Sequence, residues 1–95
     1  MSRLKAPLHP GVVLSELYLS ELGLSAMGLA RALGVPRTRI ERLVKGQTAM
    51  TPDTALRLAR ALGTTPEYWM NMQVNHDLAQ AREVQGLNDI KRLVA

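Results

Sequence analysis

Cysteine is absent from the 95 residues, so neither a disulfide framework nor a thiolate metal site is available, and nothing requires an oxidising compartment. Histidine is scarce: His9 and His76 stand without a cysteine or a carboxylate pair at ligand spacing, so no metal and no cofactor is expected. No stretch approaches the ~20 apolar residues of a bilayer span. Pro7 and Pro10 also break the N-terminus before an apolar run can begin, which points to a cytoplasmic protein with no membrane partner. Glycine-rich phosphate loops and a nucleophile elbow are missing too. Ser25 and Asp77 with either histidine supply the letters of a triad without its machinery, and no enzymatic activity is expected. Before residue 87 no segment alternates β-branched and aromatic residues with period two, so strands have no good candidate there.

What is present is helical punctuation. Pro at a first helical turn and Gly just past a last turn recur with the polarity that helices require. They mark segments from about Pro10 to Leu22, from Ser25 to Gly34, from Pro36 to Gly46, from Thr51-Pro52 to Gly63, and from Thr65-Pro66 to about Arg82. A weaker sixth segment, Leu87 to Val94, reads as a short helix, a strand or a frayed tail. In the fourth segment Ala55, Leu58, Ala59 and Leu62 fall on one stripe with Arg57 and Arg60 off it, which predicts a core-facing amphipathic helix. The fold class is all-α. A chain of this length has one core, burying roughly 60 to 65% of the surface that the unfolded chain exposes.

The net charge of +4 is concentrated. Residues 25 to 50 hold Arg31, Arg37, Arg39, Arg42 and Lys45 against the single acid Glu41, whereas bases and acids balance in the segments on either side. On charge alone a solvated basic face explains this as well as a polyanion site does.

Position within a motif decides the matter. In LSAMGLARALGVPRTRIERLVKG, residues 24 to 46, Leu29, Ala30 and Leu33 form an inner face, and Ala30 is small enough for a close helix crossing. Gly34 permits a sharp turn, Val35 plugs the corner, and Ile40 and Leu43 anchor the next helix. These offsets describe a helix-turn-helix. At about 100° per residue, Pro36, Ile40, Leu43 and Val44 cluster on one side of the third helix, and Thr38, Arg42 and Lys45 point the opposite way.

That polar face suits a DNA major groove. Arg37, Arg39 and Arg42 are the base-reading candidates, since a planar guanidinium bonds guanine O6 and N7 together, and Thr38 is available to a base edge. For Arg39 a phosphate contact or a surface ion pair is an equal alternative, and Glu41 is placed either to pair with Arg37 or Lys45 and orient them or to accept from a cytosine amine. Ser25, Lys45, Gln47 and Thr48 are the phosphate candidates. On the fifth helix Trp69, Met72 and His76 are read as core. Tyr68, Val74, Leu78 and Ala81 form a second apolar patch, for which a two-fold dimer seam is the expected cover and a fold-back of residues 87 to 94 the alternative.

Four stretches, HPG at 9 to 11, LGLS at 22 to 25, ALGVPRTRI at 32 to 40 and TPDTALRLARALGTTPEYWMNMQ at 51 to 73, together resemble the HigA-type (VapI-like) antitoxins of the Xre/Cro superfamily, over about residues 7 to 80. The resemblance implies a five-helix Cro/lambda-repressor-like domain that dimerises through its C-terminal helices. It also implies repression of its own operon at a palindromic operator in double-stranded DNA, and neutralisation of a RelE-like toxin that cleaves messenger RNA. Two residues depart from the family pattern: Ala26 stands where a phosphate-contacting glutamine is common, and Val12 where a glutamate usually follows HPG. The organisation expected is a flexible arm at 1 to 8, a DNA-binding and dimerisation domain at 9 to 82 with the helix-turn-helix at about 25 to 46, and an extension at 83 to 95, in a nucleoid-associated prokaryotic protein. A solitary regulator without a toxin, and a helix-turn-helix kept as a scaffold for protein partners, remain open.

Overall fold

A computed structural model describes residues 7–82 and 84–95. Residues 1–6 of the expected arm, and Glu83 at the head of the expected extension, lie outside them. Among the described residues the chain forms five helices and no strand. Helix α1 runs Pro10–Leu22, α2 Ala26–Leu33, α3 Arg37–Val44, α4 Pro52–Leu62 and α5 Pro66–Gln80. None of them is by itself long and apolar enough to cross a membrane.

The helices begin where side chains cap them. Ser25 Oγ accepts from the Gly28 N–H, Thr51 Oγ1 from Thr54 N–H and Thr65 Oγ1 from Tyr68 N–H, each satisfying one donor that a helix start leaves without a partner. Pro52 and Pro66 occupy first-turn positions, where a missing N–H removes no helical bond. Between α2 and α3 the chain reverses at Gly34, whose φ of 71° is the left-handed conformation that ends a helix at least cost when no Cβ is present.

The middle of α1 departs from a plain α-helix: Leu14–Leu19 is a π-helical stretch, closed by the Ser20 N–H on the Ser15 carbonyl. Its effect is on phase. Leu14 and Leu19 are both buried although they are five residues apart, a separation that an ordinary α-helix would place about 140° around its axis.

A single core joins Val13, Leu14 and Leu19 of α1 to Leu29, Ala30 and Leu33 of α2, Ile40 and Leu43 of α3, Met50, Ala55 and Leu58, and Trp69 of α5. Helix α3 packs on α2 and on the start of α1, while α5 crosses α4 and α1. Trp69 is fully buried, its indole N–H donating to Thr64 Oγ1 at 2.7 Å, with the Tyr18 and Tyr68 rings against it. The inner face read from residues 29 to 43 is therefore in the core. Pro36 is a correction: it is exposed, because it serves as the extended N-cap residue of α3 instead of joining the inward face. Met72 and His76 are half-buried at the edge of the core.

Among the described residues beyond α5 only Leu87–Asp89 is regular, as one 3-10 turn, and every described residue from Val84 to Ala95 is exposed. So short a segment cannot sustain a helix without packing. The alternative in which it folds back over the α5 patch is not adopted, since Val74 and Leu78 remain half exposed.

Candidate nucleic-acid interface

The polar side of α3 is built by subtraction. Ile40 and Leu43 are pulled into the core, and Val44 is half-buried beside them. Thr38, Arg42 and Lys45 are therefore left on the surface, as the helical rotation predicts. Among the described residues no side-chain hydrogen bond or ion pair engages Thr38, Arg42 or Lys45. Thr38 and Arg42 line an open groove of about 320 Å³ between α3 and the segment entering α4, together with Arg39, Thr48, Thr51 and Asp53.

Arg37 stands at the first turn of α3, the end that a helix-turn-helix directs at base edges. It is oriented from two sides: Nε lies 3.3 Å from Glu41 Oε2, and Nη1 is 3.8 Å from Met27 Sδ on α2. Glu41 thus takes the pairing with Arg37 that the sequence left open between Arg37 and Lys45.

Arg39 behaves differently. Its Nη1 donates to Asp53 Oδ2 at 2.5 Å, and the same carboxylate oxygen accepts from Arg57 Nε at 3.0 Å. Arg57 also donates from Nη1 to the Leu33 carbonyl oxygen at 2.8 Å. Two paired side chains of α4 therefore tie down the motif, Asp53 holding α3 through Arg39 and Arg57 holding the end of α2. The hydrogen bonds from Arg39 and then Arg57 hold the Asp53 carboxyl below the usual carboxylate range. Arg39 thus forms a surface ion pair, one of the readings open for it in the sequence.

The phosphate candidates surround this face. Ser25 is exposed at the start of α2, its Oγ spent on the Gly28 N–H; the N–H groups of the first turn and the helix dipole point outward there. Lys45, Gln47 and Thr48 are exposed in the segment that follows α3, where Gly46 adopts a φ of 71° and the Gln47 N–H returns to the Arg42 carbonyl.

Two residues that sequence reasoning treated as incidental hold that segment. His9 caps α1 through Nδ1, which accepts from the Gly11 N–H at 2.9 Å, leaving the Nε2 proton to be donated to the Thr48 carbonyl at 3.1 Å. Gln73, buried on α5, accepts the Met50 N–H at 2.6 Å and donates to Asp77 at 2.9 Å. Burial, followed by the charge of His76, lowers the His9 pKa, against the opposing pull of the Thr48 carbonyl and Asp77. The HPG stretch was the one available signal. His9 turns out to be a joint, and Gly11 has no Cβ because one would overlap the Leu43 carbonyl.

The four residues named for a dimer seam all lie on the surface of α5 or at its end: Tyr68, Val74, Leu78 and Ala81. Tyr68 is additionally tied to Tyr18, hydroxyl to hydroxyl, at 3.2 Å. Among the described residues no group of His, Asp and Glu side chains is arranged to hold a metal ion.

Fold and face together define a helix-turn-helix protein. The family model described as helix-turn-helix matches residues 14–69. Virulence-associated protein I of Dichelobacter nodosus is 46% identical over 84 residues, spanning 87% of this chain and 78% of that protein. Antitoxin HigA-1 of Vibrio cholerae is 37% identical over 78 residues, spanning 82% of this chain and 73% of that protein. Among solved structures, the Pseudomonas aeruginosa antitoxin HigA with higBA promoter superposes with a TM-score of 0.86 at 35% identity, over 93% of this chain and 99% of that one. The chain belongs to the HigA-type antitoxins of the Xre-like helix-turn-helix family.

Proposed function

We propose that this chain is a sequence-specific DNA-binding antitoxin, which represses its own operon as a homodimer on a palindromic operator and neutralises a RelE-like toxin. One observation carries the DNA half of this reading: Thr38 and Arg42 lie side by side on a groove of α3 with no side-chain partner among the described residues, while neighbouring Arg39 is held by Asp53. Arg42 and Thr38 are assigned to base edges, with Arg37 contributing from the first turn in the orientation set by Glu41. Arg39 is assigned to bracing α3 against α4. Ser25, Lys45, Gln47 and Thr48 are assigned to phosphates, which fix register without reading sequence. The superposition on a HigA antitoxin with its promoter supports the same use of the surface.

The half-exposed Val74 and Leu78, with Tyr68 and Ala81, support a two-fold seam along α5, since an isologous contact places the same patch on both sides. Two copies would then present two α3 helices to two half-sites about one DNA turn apart, some 34 to 36 Å. The toxin half rests on the antitoxin relatives. Co-expression with the toxin-like reading frame beside the gene tests it: relief of growth arrest and a co-eluting complex are expected. Operator binding with no relief of growth arrest by any adjacent frame would leave a solitary regulator.

A further inference from the structure

Residues 46 to 50 belong to no helix, yet two of the proposed phosphate contacts, Gln47 and Thr48, lie there. Part of their position is set from within, by the Gly46 N–H on the Leu43 carbonyl and the Gln47 N–H on the Arg42 carbonyl. The rest is set from outside, at two residues with only Ala49 between them. The Thr48 carbonyl accepts from His9 at the entrance to α1, and the Met50 N–H donates to Gln73 on α5. Gln73 is itself fixed by Asp77, and the His9 ring stands edge-on to His76 with centroids 5.1 Å apart. A buried glutamine with both ends of its amide engaged is an expensive way to fill core volume unless its orientation is used.

We propose that His9 and Gln73 are positioning residues for DNA: they clamp the backbone of residues 48 to 50 from α1 and α5, so that Gln47 and Thr48 meet phosphates. This rests on the DNA-binding reading above. The clamp joins the phosphate-contacting segment directly to the helix that bears the dimer patch, because Gln73 and Asp77 each adjoin a residue of that patch, Val74 and Leu78, in sequence. A contact that shifts α5 is thereby felt at Thr48 and Met50 with no intervening chain.

The test separates positioning from simple stability. In His9→Asn the side-chain oxygen still caps α1, since asparagine is among the preferred N-cap residues, but it is too short to reach the Thr48 carbonyl. In Gln73→Met the Met50 N–H loses its acceptor. Each variant and the wild type are titrated by fluorescence anisotropy against a duplex from the gene's upstream region and a scrambled duplex, as salt is raised, with melting curves taken alongside. His9→Asn should melt close to wild type and bind both duplexes severalfold more weakly by the same factor, with the log-log salt slope unchanged, because Gln47 and Thr48 are uncharged and their phosphate contacts release no counterion. Gln73→Met should melt lower and show the same uniform loss of affinity in its folded form. Wild-type affinity of His9→Asn for both duplexes would overturn the clamp alone. Wild-type binding that ignores both sequence and salt would overturn the clamp together with the DNA-binding reading.

Discussion

Arg57 reaches from α4 to the carbonyl oxygen of Leu33, the last residue of α2, at 2.8 Å across 24 residues of sequence. It also shares the Asp53 carboxylate with Arg39 of α3, so the angle between the two helices of the motif is braced by a third. Removing Arg57 loses the carbonyl bond and one ion pair. Arg57→Ala is expected to lower stability by roughly 1 kcal/mol, the scale of a charged hydrogen bond after discounting for exposure. Asp53→Asn, which spares the Leu33 contact, should cost less. It should also release Arg39, raising affinity for scrambled DNA and narrowing discrimination. Urea denaturation beside duplex titration checks both; equal destabilisation by the two substitutions would contradict the brace.

Gly11 is where α1 and α3 meet backbone to backbone. A Cβ at this position would overlap the Leu43 carbonyl oxygen and lie 3.1 Å from His9 Nδ1. Neither neighbour can yield, one being main chain and the other the helix cap. Gly11→Ala is therefore expected to destabilise by about 3 kcal/mol, at the upper end of overpacking costs, although alanine favours helices elsewhere. A melting temperature equal to wild type would show that the two helices can separate freely.

His9 makes stability depend on pH. Its neutral ring both caps α1 and donates to Thr48, and burial with the nearby His76 lowers its pKa from the ordinary value of 6.5. The groups facing it from α5 are His76 and Asp77, and Asp77 opposes the shift. Below 6.5 the unfolded chain takes up the proton before the folded one does. This contribution is thus fully present above that pH and is lost as pH falls through the lowered folded value. Between about pH 7.5 and about pH 5 the wild type should lose more thermal stability than His9→Asn; parallel curves would count against it.

The α5 patch makes a claim about assembly. Leu78 is half exposed next to half-exposed Val74, and a two-fold seam would bury both from each copy. Leu78→Glu is expected to yield a monomer by light scattering at concentrations where the wild type is a dimer, with little change in helicity. A dimer that survives this substitution would place the seam elsewhere.

The five helices were legible because their ends are chemical: proline, capping hydroxyls and glycine mark them, and each such signal acts within a few residues. The inner face of residues 29 to 43 was legible for the same local reason, a periodic apolar stripe. The π-helical stretch was not. Leu14 and Leu19 have a spacing that fits no ordinary helix face, and the widened turn goes with the burial of both in the shared core, which no local rule announces. Asp53, His9 and Gln73 were hidden because their partners lie 14, 39 and 23 residues away, and a hydrogen bond across that distance leaves no periodic trace. Arg39 shows the limit within the site itself: no local rule tells a guanidinium aimed at DNA from one held by a carboxylate on the next helix.

The central claim is that the free face of α3 reads DNA, and affinity for a duplex from the gene's own upstream region as a function of salt tests it most directly. With about three phosphates engaged per protomer, a dimer should give a log-log slope of roughly −5 and bind ~10³-fold or more above a scrambled duplex. Arg42→Ala should cost about 1 to 3 kcal/mol on the upstream duplex alone, and Arg39→Ala distinctly less. Weak, equal binding to both duplexes, or an Arg42→Ala protein indistinguishable from wild type, would contradict the assignment of this face to DNA.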